Sequence, residues 1–376
     1  MKRRDILTAL ALAAVCAALA FAPSPPTVAQ DSGTSVRARV VATDDGKVEL
    51  AGLVEYGTQH LTVEPLEGPG KGRRFRAENE LRAQLDIDKK FAVGDIATVT
   101  WPAGGPKEGE ALTARDHYRL GWATVLFAAF AVLLACFGGW TGVKALFSFA
   151  FSCFAVWKFL IPLCLDGWSA SWTAFATVSV LTAVIMYLVA GATMKGLAAF
   201  LGAMLGVGAS LVLAHFFTAV MHVNGATMPY VQALLYSGYG SLDLPDVFVG
   251  AIILASSGAV MDLAMDIAAG VCEVRRHNPD LPRSELFRSG LRMGRAVVGT
   301  MTTTLLLAYS GGYLTLLMVF AAQGTSPWDF LNSTVVSAEL VKTLVGSFGL
   351  VLVAPSTAAV SAWLFPARMK ASRSNA

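Results

Sequence analysis

Two different periodicities divide the chain. From about Ser35 to Trp101, short β-branched runs alternate with turn residues: Val36 to Thr43, Lys47 to Val54, His60 to Val63, Arg73 to Ala77 and Ile96 to Trp101. Such spacing predicts a small β-barrel or sandwich, with Asp45-Gly46 as a hairpin turn between the first two strands. Beyond Arg119 the pattern becomes long and apolar. Windows of about 20 residues mark candidate membrane spans at 120–140, 143–164, 172–191, 196–221, 246–269, 295–320 and 338–365. The fold expected is therefore an α-helical polytopic membrane bundle of about seven transmembrane helices, preceded by a small exported β-barrel-like domain.

The N-terminal end has its own layout. A basic head (Lys2, Arg3, Arg4) precedes an apolar stretch from Ile6 to Ala22 and then Pro23, Pro25 and Pro26, which is the order of an export signal. Residues 1–29 are read as a signal peptide or signal anchor. Residues 30–118 follow as an extracytoplasmic β-rich domain and linker, 119–366 as the transmembrane helical domain, and 367–376 as a basic cytoplasmic tail.

Composition agrees with a membrane protein. Of the 376 residues 55% are hydrophobic and 15% charged, with a mean hydropathy of +0.57, where soluble domains carry about a quarter charged residues. The net charge of +3 is too small for a nucleic-acid binder. Five cysteines, with no CxxC pair, give neither a disulfide framework nor a zinc signature. No cofactor is expected.

Charge position fixes an orientation. With residues 30–118 outside, alternate loops hold Lys195, Arg275, Arg276, Arg283, Arg288, Arg292 and Arg295, while the loops around 165–171, 222–245 and 321–337 contain no Lys or Arg. Cytoplasmic loops carry such an excess of cations, so the C-terminus is expected in the cytoplasm.

Polar residues within spans are costly, roughly 2.5 to 3.5 kcal/mol for a charge at the helix centre on insertion scales, so they mark candidate chemistry. Asp262 and Asp266 stand at i and i+4 on one helix face. Thr300, Thr303 and Thr304, with Thr302, belong to the next span at similar depth, and a shared polar cavity is expected. Glu339 and Lys342 can pair across one turn of the last span. Gly202 and Gly206 have the spacing that lets a neighbouring helix approach closely; packing, not a pore, is their simpler role. Hydroxyls in such helices also commonly bond back to their own backbone.

Four motifs carry a family resemblance: Gly258-Ala259-Val260-Met261-Asp262; Ser289-Gly290 with Gly294-Arg295; Gly299-Thr300-Met301-Thr302-Thr303-Thr304-Leu305 with Ala308-Tyr309; and Glu339-Leu340-Val341-Lys342 with Gly346-Ser347 and Gly349-Leu350. Together they resemble the YibE/F family of bacterial multi-pass membrane proteins from about residue 35 to 365. The resemblance implies an exported β-rich region ahead of the helices, and it reinforces Asp262. Thr303 departs from the family's usual Asn, and Asp266 from its usual small polar residue.

Two functions are compatible with these residues. One is a permease or ion-coupled transporter using Asp262 and the threonine cluster; the other is a non-transporting scaffold or envelope sensor whose exported domain binds a partner. An intramembrane enzyme would need a nucleophile and base or a second acid on another helix, so no enzymatic activity is expected. The partners expected are the bilayer, a small solute or ion, and an envelope protein or a second copy of the chain.

Overall fold

The computed structural model describes residues 34–68, 70–101 and 111–365. The signal segment, residues 102–110 and the basic tail 367–376 lie outside the described residues. The chain forms two compact units, one ending at Cys136 and the other running on from Phe137.

The first unit contains a closed five-stranded barrel in the order β1 (Thr34–Ala51), β2 (Val54–Pro65), β3 (Phe75–Arg82), β5 (Leu112–His117) and β4 (Ile96–Trp101). All neighbours are antiparallel except β3 and β5. Alternation along each strand sends Val36, Ala38, Val40, Leu61, Val63, Ala77, Val99, Trp101 and Leu112 into one core. Closure leaves no long free edge.

One expectation is corrected. Asp45-Gly46 is not the hairpin turn, because β1 runs through it; two residues there face the single Gln59, between the pairs Asp44 with His60 and Lys47 with Thr58. This is a β-bulge, and the Asp44 carboxylate accepts from Gly46 N–H at 2.9 Å. The reversal comes later, at Gly52-Leu53, where Gly52 has φ +65°. A positive φ at the first of two turn residues suits the strand twist.

The second unit is helical, and the helix Leu120–Ala155 enters it from the first. After α1 (Leu120–Ala155), a π-helical turn at Val156–Leu160 leads into α2 (Ile161–Leu165). There follow α3 (Ala170–Ala190), α4 (Met194–Val220), the short α5 (Val231–Tyr236), α6 (Leu244–His277), α7 (Arg283–Gly312), α8 (Leu314–Ala322), α9 (Pro327–Asn332) and α10 (Thr334–Leu364). Among the described residues five stretches are long and apolar enough to cross a membrane: Leu120–Leu165, α3, α4, α6 and α10; α7 with α8, bent by 67°, makes a sixth if counted as one. The sequence windows number seven because they divide Leu120–Leu165 in two. The structure does contain a break there, at Gly139 with φ 53° and ψ −132°.

Side-chain caps start several helices. Thr193 accepts from Gly196 N–H, Asp243 from Asp246 N–H and Ser333 from Val336 N–H, satisfying donors that the first turn leaves free. Helix α10 packs against α4, α6 and α7, and α6 also meets α3 and α4. Their shared core includes Val207, Ile252, Ile253, Val260, Leu263, Leu350 and Val353. The turn between α6 and α7 is held by the buried Arg275, whose Nη1 donates to Pro279 O at 3.0 Å and Leu281 O at 2.7 Å.

Candidate functional site

Helix α6 divides cleanly by face. Val260, Leu263, Ala264, Ile267 and Val271 are buried, whereas Ala251, Ala255, Gly258, Asp262 and Asp266 are exposed. A Cβ built on Gly258 would meet nothing within 4 Å. Both carboxylates therefore lie on a face of α6 that no described segment of the chain covers.

Helix α7 runs antiparallel beside it, and three glycines fix the register. A Cβ on Gly290 would lie 2.9 Å from Val271 Cγ2, one on Gly294 3.3 Å from Ile267 Cδ1, and one on Gly270 2.5 Å from Met293 Sδ. Continuing these pairings one turn at a time puts Asp266 level with Arg295 to Val297, and Asp262 level with Gly299 to Met301. Thr300, Thr303 and Thr304 are exposed at and above that level. Their hydroxyls donate to Val297 O, Gly299 O and Thr300 O at 2.9, 3.0 and 2.9 Å. Each hydroxyl spends its proton on its own helix. Its oxygen lone pairs stay available as acceptors, so the face offers carboxylate and hydroxyl oxygens, with the exposed Arg295 at the level of Asp266 but paired with neither carboxylate. Among the described residues no group of three or more His, Cys, Asp or Glu is placed to hold a metal ion.

Glu339 and Lys342 lie elsewhere, on α10. Lys342 Nζ donates to Glu339 Oε1 at 2.7 Å, and both side chains are about three-quarters buried. Glu339 borders a cavity of about 210 Å³ lined by Ser310, Tyr313, Phe330, Leu331 and Val336, beside the bend between α7 and α8. Nearby, the buried Tyr309 hydroxyl has no hydrogen-bond partner among the described residues, and a Cβ on Gly346 would sit 3.5 Å from it.

Gly202 and Gly206 are packing residues. They press α4 against Thr357 and Val353 of α10, and Gly206 also faces Val260 of α6. These two glycines are remote in kind from the polar face, having backbone and methyl groups where the aspartates have open surface.

One polar network escapes sequence reasoning. Asp246 accepts from Ser169 Oγ at 2.9 Å and Ser171 N–H at 3.3 Å, and Ser171 Oγ lies 3.1 Å from His215 Nε2. It joins α3, α4 and α6. The order carboxylate, serine, imidazole differs from a hydrolase triad, where the imidazole stands in the middle and the carboxylate orients it.

The model of the YibE/F-like protein family matches residues 126–367. No curated protein matches the chain, and no solved structure does. The family match begins within α1, so it takes in Asp262, Asp266, the threonine cluster and the Glu339–Lys342 pair but not the barrel. With about two-thirds of its length matched, and with the same segments carrying its apolar helices, the chain is a membrane protein that belongs to the YibE/F-like family.

Proposed function

We propose that this chain is a multi-pass permease of the bacterial cytoplasmic membrane, moving a proton or small hard cation past Asp262. The observation that carries the reading is the uncovered α6 face, where Asp262 stands level with Thr300 at the start of a run of threonine oxygens, with Asp266 one turn below it, neither carboxylate paired among the described residues. Charges at membrane depth persist where they face water, a partner or a permeating ion. Oxygen donors of this kind suit protons and hard cations rather than soft metals.

The topology we propose has seven crossings. Leu120–Leu165 contains 46 residues, which at ~1.5 Å each would span about 69 Å, more than twice the ~30 Å hydrocarbon layer. It crosses twice, turning at Gly139, and α7 with α8 makes one bent crossing. The barrel is then outside and the C-terminus inside. In intact cells Gln232→Cys is expected to label from outside and Arg283→Cys to be protected; the reverse pattern overturns the orientation.

The test of transport is flux in liposomes holding the purified protein. Wild-type flux of protons or of monovalent and divalent cations should exceed that of empty liposomes, and Asp262→Asn should remove it while leaving the helical spectrum intact. Asp266→Asn, nearer the cytoplasmic end, should have a smaller effect. Flux equal to empty liposomes for every ion tried would refute the permease reading.

A second reading has one observation in its favour. The barrel carries a cavity of about 570 Å³ lined by Thr43, Asp44, Lys47, His60, Arg76 and Glu78, a charged surface suited to a polar envelope partner. Under this scaffold or sensor reading, Asp262→Asn is silent in flux and substitutions at Lys47 and Arg76 abolish partner capture.

A further inference from the structure

We propose that the exposed α6–α7 face is closed by a second copy of this chain, with Asp266 of one copy paired to Arg295 of the next. The inference rests on the reading of these helices as membrane spans and is independent of whether anything is transported.

Three observations converge on it. First, the exposed stripe of α6 pairs two carboxylates with the small residues Ala251, Ala255 and Gly258, so another helix can approach its backbone without displacing side chains. Second, α7 exposes a stripe of its own, Arg292, Arg295, Gly299 and Thr303, and a Cβ on Gly299 would also meet nothing within 4 Å. Third, neither Asp266 nor Arg295 is paired with another group among the described residues.

Membrane geometry then selects the partner. Copies inserted in one orientation are related by rotation about the membrane normal, and such a rotation changes the position of a residue but not its depth. Each side chain can meet only partner groups at its own level. The register set by Val271 with Gly290 and Ile267 with Gly294 puts Asp266 level with Arg295, and Asp262 level with Gly299 and Thr300. Opposite charges thus fall at one depth, and one turn further out the Asp262 carboxylate stands level with the bare backbone of Gly299, where another helix can approach closely.

Lipid is a poor occupant of the same face. Anionic headgroups of the cytoplasmic leaflet repel carboxylates, and acyl chains leave them without partners. An unrelated protein would have to reproduce a cation at this depth, which the chain already supplies on the adjacent helix. Because the two stripes differ, a head-to-tail arrangement that closes into a ring satisfies every copy.

The experiment is single-molecule photobleaching of the full-length, singly labelled protein at low density in liposomes. Wild-type protein should bleach in two or more steps. Asp266→Arg and Arg295→Asp should each weaken association by about tenfold or more, and combining them should restore it. Should a charge reversal fail to insert, Asp266→Asn and Arg295→Gln give the same comparison with a smaller loss. Wild-type protein that bleaches in one step overturns the proposal, as do single reversals that leave the oligomer unchanged or a combined variant that stays dissociated. Flux is measured on the same liposomes, so a conducting monomer refutes the assembly alone, and a non-conducting oligomer refutes only the permease.

Discussion

Gly202 on α4 lies so close to Thr357 on α10 that a Cβ built on the glycine would fall 2.7 Å from the threonine Cα. Only a residue without a side chain fits, because backbone on the far side cannot swing away as a flexible chain end would. Gly202→Ala is expected to separate the helices and lower stability by about 1 to 3 kcal/mol, the usual cost of overpacking. Gly208 supplies the control on the same helix, since its nearest neighbour would be 4.0 Å away. Gly208→Ala should be neutral or stabilising by up to about 1 kcal/mol through helix propensity. Unfolding of the purified protein in mixed micelles checks both.

Two buried amides tie the barrel to its β3–β4 loop: Asn79, whose Nδ2 donates to Lys89 O at 2.6 Å, and Gln59. Gln59 Nε2 donates to Phe91 O and Asp45 Oδ1, each at 2.9 Å, and Gln59 Oε1 accepts from Phe91 N–H at 3.0 Å and Asn79 Nδ2 at 3.1 Å. Leucine would fill the space but strand the Phe91 N–H and one of the two Asn79 amide hydrogens in a water-free site, where an unmet polar group costs about 1 to 3 kcal/mol. Gln59→Leu should therefore destabilise residues 30–118, expressed alone, by about 2 to 4 kcal/mol. In a domain of this size that lowers the melting temperature by roughly 10 °C or more. A melting curve followed by circular dichroism that does not shift would show the amide to be dispensable.

Much of this was legible in the residues, and the gaps have physical causes. Alternation marked β1 in two pieces and parts of β2, β3 and β4, because a half-buried strand must alternate, but β5 fell in the stretch that reads as linker; the Asp45-Gly46 hairpin is a bulge instead, which depends on the partner strand that local pattern does not describe. The i, i+4 spacing put Asp262 and Asp266 on one face of α6. That no described helix covers this face depends on packing partners far along the chain. Hydropathy windows averaged over the bend at Tyr313 and merged α7 with α8 into one straight span. The His215–Ser171 contact joins residues 44 apart, a separation that no local pattern displays.

Acid should loosen the barrel in a defined window. Arg37 donates through Nε and Nη2 to Glu67 at 3.1 and 2.9 Å, and these bonds hold the Glu67 carboxyl below its usual range. Asp45 is lowered likewise, chiefly by the Gln59 amide and then by Lys90. A carboxyl whose folded pKa is depressed stabilises the fold above its unfolded pKa, near 4, and loses that contribution as pH falls through the folded value. Stability of residues 30–118 should be flat from pH 7 to about 5 and decline below about 4.5. Glu67→Gln should shallow the decline, and an unchanged slope would remove this pair as its source.

Glu339 and Lys342 present a pair whose members are worth more together than apart. At 2.7 Å and with a fifth to a quarter of each side chain exposed, the two groups have given up much of their hydration, and each has the other as its compensation. Removing one leaves an uncompensated charge beside the apolar cavity lined by Phe330, Leu331 and Val336. Fully buried pairs broken in this way lose about 3 to 5 kcal/mol; residual solvent reduces that here to about 1 to 3 kcal/mol. Glu339→Gln and Lys342→Met should each show such a loss. The combined variant removes both charges and leaves nothing to compensate, so its loss should be smaller than the sum of the two by about 1 to 2 kcal/mol. Micelle unfolding of the four proteins measures that coupling directly. Losses that simply add would mean that lipid headgroups or water, and not Glu339, already meet the needs of the Lys342 ammonium.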